Sequence, residues 1–157
     1  MSHMIAAFVA ERPAAEAVAR AIGGAPIFRL RHDAFLVGPV TDDAFDAVFA
    51  ARGESEPVNP EFWRLTHALA EIANDCSAHG AIAYVETDYF GGAGVQGAAA
   101  WRDGRVIVPP ATDEAGPINA ALAAVGLMPA NGCDAFDTLG LGAVRRMDAF
   151  DDMTPVT

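Results

Sequence analysis

Apolar and polar positions along this chain follow two periods, and the period of two is concentrated near its start and between residues 81 and 108. Ile5-Ala6-Ala7-Phe8-Val9-Ala10 reads as a short apolar strand. Pro13 then opens a helix at its first turn, where a missing N–H costs nothing; Val18 and Ile22 share one face and Gly23-Gly24 ends it. Residues 27–30 and 34–37 read as two strands around Arg31-His32-Asp33, the second stopped by Pro39. Thr41 caps a helix over residues 42–51, with Asp42 and Asp43 where the helix dipole favours anions. The polar loop 52–58 is a candidate lid or a plain connector. The longest predicted helix starts at the cap Asn59, carries Phe62, Leu65, Leu69, Ile72 and Cys76 at steps of three and four, and closes at Gly80.

The second half predicts an antiparallel meander. Residues 81–90 give the strongest strand signal, 95–101 a second joined to it by Gly91-Gly92-Ala93-Gly94, and 105–108 a third after the two-residue turn Asp103-Gly104, ended by Pro109-Pro110. A helix follows from Pro117 to Val125, then a short one over 134–139 and Gly140-Leu141-Gly142; from Asp148 the acidic tail is expected to fray. Strands and helices do not alternate regularly, so the fold class is α+β: a mainly antiparallel sheet with helices packed on it. One domain spans residues 4–150, Met1-Ser2-His3 reads as an expression scar before Met4, and 151–157 form the tail.

Composition narrows the function classes. Of 157 residues, 52% are hydrophobic, enough for a sizeable core, although much of that fraction is alanine. The formal charge is −11, which repels nucleic acid and anionic lipid and suits solubility or a basic partner. All ten cationic side chains are arginine, so no Schiff-base or phosphate-loop lysine exists. Two cysteines, Cys76 and Cys133, make no metal site by themselves and read as reduced cytoplasmic thiols. No apolar run approaches the roughly 18 residues of a membrane-spanning helix.

Side chains alternate across a strand, so Ile82, Tyr84, Glu86, Asp88 and Phe90 share one face, while Ala83, Val85, Thr87 and Tyr89 share the face expected to meet the helices. Glu86 and Asp88 then stand outward about 7 Å apart. Such a pair could hold a cation, act as acid and base, or meet an arginine of a partner; carboxylates on an outer sheet face are also commonly just solvated. The glycine-rich turn has neither the helix nor the Lys-Ser/Thr of a phosphate loop, so it exposes backbone for contact instead. His32, His67 and His79 have no useful spacing to either cysteine, and no Gly-x-Ser-x-Gly or His-Glu-x-x-His occurs. No catalytic residue, cofactor or metal ligand is assigned. Asp134 and Asp137 read as an internal brace for Arg145-Arg146.

Tyr84-Val85-Glu86-Thr87-Asp88-Tyr89-Phe90-Gly91-Gly92-Ala93-Gly94-Val95-Gln96, the Trp101-x-Asp103-Gly104 turn, Ile118-Asn119-x-Ala121-Leu122 and Phe136-Asp137-Thr138-Leu139-Gly140-Leu141-Gly142 together resemble a group of small, uncharacterised bacterial proteins of immunity-like or stand-alone kind. The resemblance covers residues 81–145 and carries no established activity. The expectation is a cytoplasmic binding protein, immunity- or antitoxin-like, that captures a basic protein such as a toxin through Glu86, Asp88, Tyr89, Phe90, Gly91, Gly92 and Gln96. Two alternatives stand beside it. One is an enzyme or small-ligand protein using Glu86 and Asp88 in a cleft roofed by the glycine turn or the 52–58 loop. The other is a homo-oligomer joined through an edge strand.

Overall fold

The apolar runs pair as strands of one antiparallel sheet in a computed structural model that describes residues 2–157. In chain order the strands are β1 (Ser2–His3), β2 (Ala6–Glu11), β3 (Phe35–Pro39), β4 (Ile82–Phe90), β5 (Ala93–Arg102) and β6 (Arg105–Asp113). Across the sheet they run β3-β2-β4-β5-β6, with β1 continuing the line of β2 along β4. The expected meander is β4-β5-β6. Its two turns have the geometry of tight hairpins: Gly91 and Gly92 sit at φ 63° and 81°, and Asp103 and Gly104 at 53° and 73°.

Helices α1 (Arg12–Ala21), α2 (Asp42–Arg52) and α3 (His67–Cys76) cover one face of the sheet, over Phe8, Leu36, Ile82, Tyr84 and Trp101. Helices α4 (Pro117–Ala124) and α5 (Ala135–Leu139), with the C-terminal turns, cover the other, over Val9, Val37, Ala83, Val85 and Ala100. The α+β class stands, but the expected open outer face does not. Strands buried on both sides read as near-continuous apolar runs, as residues 5–10 and 98–101 do.

Four local expectations are corrected. The helix expected from Asn59 starts only at His67, capped by Thr66 Oγ1, which accepts from the Leu69 N–H at 3.3 Å. Phe62 and Leu65 are buried as the periodicity required, but they reach the core from a loop. The strand expected over 27–30 reduces to one residue, Phe28, which exchanges two backbone hydrogen bonds of 2.8 Å with Val37. Strand β6 passes through Pro109 and Pro110 instead of stopping there. Among the described residues it pairs with β5 alone, as an edge strand, so missing N–H groups on its outer side cost no ladder bond, and register slips opposite Ala98–Trp101 absorb the rest. The tail is docked: Phe150 is buried, and the Val156 N–H donates to the Ile27 carbonyl at 2.8 Å.

The polar loop 52–58 is not a free lid. Val58 N–H donates to Leu65 O, His67 N–H donates to Glu56 O, and Ser55 Oγ accepts from Ala68 N–H at 2.9 Å. Ser2 and His3, set apart in the sequence reading, pair with Phe90 and Tyr89.

Candidate functional site

Glu86 and Asp88 do share a face of β4, as alternation demands, but their environments are opposite. Asp88 is exposed, whereas Glu86 is only 2% exposed beneath residues 62–65. Its Oε1 accepts from the Trp63 N–H at 2.7 Å. Its Oε2 accepts from Arg64 N–H at 3.3 Å, Leu65 N–H at 3.2 Å and the Tyr84 hydroxyl at 2.6 Å. Burial pushes the Glu86 carboxyl above its ordinary value, and the four donors pull against that. Burial, then the neighbouring carboxylate, hold the Tyr84 phenol well above its usual range, so it stays a donor.

This arrangement explains the lost helix. Three successive amides, those of Trp63, Arg64 and Leu65, which in a helix from Asn59 would have bonded the carbonyls of Asn59, Pro60 and Glu61, are satisfied instead by one side chain from the sheet. Space for the segment comes from β5: a Cβ on Gly97, which pairs with Glu86, would lie 2.6 Å from Phe62 Cε1. Arg64 is fixed as well, donating to the Val40 carbonyl at 3.1 Å and to Asp42 at 2.8 Å, with its guanidinium 4.9 Å from the Phe45 ring centroid. Glu86 is therefore a structural bracket, and the expected outward pair of acids is not formed.

What remains at the surface is the far end of the β4–β5 hairpin. Phe90 is 80% exposed, beside exposed Asp88, Gly91 and Gly92. Tyr89, on the other face, is half-buried; its hydroxyl donates to the Glu114 carbonyl and accepts from Gln96 Nε2 at 3.2 Å. Gln96 Oε1 in turn accepts from the Ile118 N–H at 2.8 Å and so satisfies the start of α4. Gln96 thus ties the hairpin to α4, and its amide is already engaged.

Below Tyr89 a cleft of about 240 Å³ opens between the hairpin, α4, α5 and β1. It is lined by Thr87, Tyr89 and Gln96 from the hairpin, Ile118 and Asn119 from α4, Asp134 and Phe136 at the start of α5, and His3 from β1. His3 is buried, with Nε2 3.0 Å from the Leu141 carbonyl and Nδ1 2.7 Å from Thr87 Oγ1. A carbonyl can only accept, so Nε2 carries a proton; Thr87 Oγ1 already accepts from the Ile5 N–H at 3.1 Å, and in the neutral ring its hydroxyl donates to Nδ1. Burial pushes the His3 pKa down, which matches this neutral ring. Asp134 caps α5, accepting from Asp137 N–H at 2.9 Å and from Asn119 Nδ2 at 3.1 Å, while Asn119 Oδ1 accepts from Phe136 N–H at 3.0 Å. The brace expected with the arginine pair is not formed: Arg146 lies 3.3 Å from Asp148, and Arg145 reaches the Ser2 carbonyl.

Of the residues expected to form a contact surface, the structure keeps Asp88, Phe90, Gly91 and Gly92 together and exposed, places Tyr89 and Gln96 at the cleft, and removes Glu86 to the interior. Sequence reasoning missed His3, Asn119 and Asp134 as neighbours of Tyr89. Only the position of Asn119 and Asp134 at helix starts hinted at them. Compared with protein-family models, curated proteins and solved structures, the chain finds no significant match.

Proposed function

We propose that this chain is a binding module that neutralises or regulates a basic protein partner, in the manner of an immunity protein or antitoxin, through the end of the β4–β5 hairpin. The observation that carries this reading is Phe90: a large aromatic ring, 80% exposed, presented beside a two-residue turn whose glycines both adopt positive φ. An aromatic side chain on a pre-organised turn loses little entropy on docking and suits an interface anchor. Asp88 lies beside it, and the net charge of −11 favours rapid capture of a cationic surface. With Glu86 committed inside the fold, Asp88 and Phe90 carry the contact, flanked by Gly91 and Gly92.

Affinity capture from the source cells, followed by identification of what is retained, tests the reading. The wild-type chain is expected to retain a basic protein, more weakly as salt rises. Phe90→Ala is expected to lose it while changing stability by no more than about 0.5 kcal/mol, because the ring is outside the core. Equal retention by wild type and Phe90→Ala, or no specific partner at low salt, would sink it.

A further inference from the structure

We infer that the cleft beside Tyr89 receives one arginine or lysine side chain of the protein partner, an inference that rests on the binding reading above. The cleft has room for a single side chain, being smaller than the roughly 300 Å³ at which drug-sized pockets begin. Among the described residues, its one charged lining residue is Asp134. An ionised carboxylate offers about four acceptor positions, and Asp134 uses two of them, on Asp137 N–H and Asn119 Nδ2. Tyr89 and Phe136 add aromatic surface, which attracts a cation over its face. The positive ends of both neighbouring helices are already occupied: Gln96 takes the Ile118 amide, and Asp134 itself caps α5.

Among the described residues, no arginine side chain lines the cleft. Burial lowers the His3 pKa and so favours its neutral ring, with Nε2 directed at the Leu141 carbonyl. Arg145, the cation acting on His3, is turned to the Ser2 carbonyl and does not line the cleft. The position also fits the binding reading, because Tyr89 immediately precedes the exposed Phe90 on β4. An aromatic knob and a hole for a cation therefore lie on opposite faces of one hairpin end, which the partner grips from both sides.

Nitrogen-15 NMR of the whole chain, titrated with Nα-acetyl-arginine methylamide and separately with its neutral citrulline analogue, tests this. Saturable shifts at Tyr89, Gln96, Asn119 and Phe136 are expected with the arginine derivative alone. Asp134→Asn retains a good helix cap and should weaken the response about tenfold, the loss of one charge-assisted contact. Phe136→Leu keeps an apolar wall and should weaken it less. Equal shifts with citrulline, an unchanged response in Asp134→Asn, or no shift at all would overturn the inference. Partner capture without arginine binding removes the cleft assignment alone, whereas arginine binding without capture removes the protein partner.

Discussion

Removing the Glu86 carboxylate leaves the amides of Trp63, Arg64 and Leu65 and the Tyr84 hydroxyl facing an empty acceptor position. Each buried unsatisfied donor costs about 1–3 kcal/mol, so Glu86→Ala is expected to lose several kcal/mol and to free residues 59–66 from the sheet. Glu86→Gln offers one acceptor oxygen where two are used, and should cost about 1–3 kcal/mol. The pH dependence has a definite sign. The folded-state pKa of Glu86 is raised, so its linked contribution to stability is fully present below the unfolded carboxyl value and is lost as pH rises through the folded one. Glutamine does not titrate. The stability difference between wild type and Glu86→Gln should therefore shrink as pH rises from about 4 toward neutrality. Urea unfolding of both proteins across that range checks it; a difference that widens with pH would contradict the burial argument.

Strand β5 shows how one element sets its neighbour. Gly97 lies opposite Glu86, and the ring of Phe62 occupies the volume its side chain would take. Gly97→Ala is expected to cost about 1–3 kcal/mol by displacing Phe62 from well-packed surroundings, read as a lower urea midpoint. A variant as stable as wild type would mean the ring has room to move. The same region marks the limit of what the sequence disclosed. The hairpins, the cap at Thr41, the proline that opens α4 and the identity of most core residues follow from local signals: glycine turns, a side-chain oxygen or a proline at a helix start, apolar periodicity. The burial of Phe62 and Leu65 was legible too. Their loop conformation was not, because the competitor to the helix is a carboxylate 21–23 residues further along the chain. Asp88 was correctly placed outside by alternation alone, but alternation says nothing about which layer covers Glu86. The cleft was invisible for a related reason: its walls come from β1, β4, β5, α4 and α5, which only the fold brings together.

At the scale of the whole molecule the sheet ends in two edges, treated differently. Beyond β3, Phe28 takes up both hydrogen-bonding groups of Val37. The β6 edge is open and carries exposed Val106 and Ile107, which would invite pairing with a second copy. Two features oppose this. The charge of −11 makes copies repel one another, and Pro109 and Pro110 interrupt the donor row. Successive residues of a strand point their N–H groups to opposite sides, so two adjacent prolines remove an outward donor whichever way the register falls. The chain is therefore expected to remain monomeric at low salt. Replacing both prolines by valine restores the outward donor and flattens the edge, and that double variant should associate as concentration and salt increase. Light scattering coupled to size exclusion reads both outcomes. A wild-type dimer independent of concentration would show that the prolines do not guard this edge, and would favour the oligomeric alternative over a module that keeps its surfaces free for a different protein.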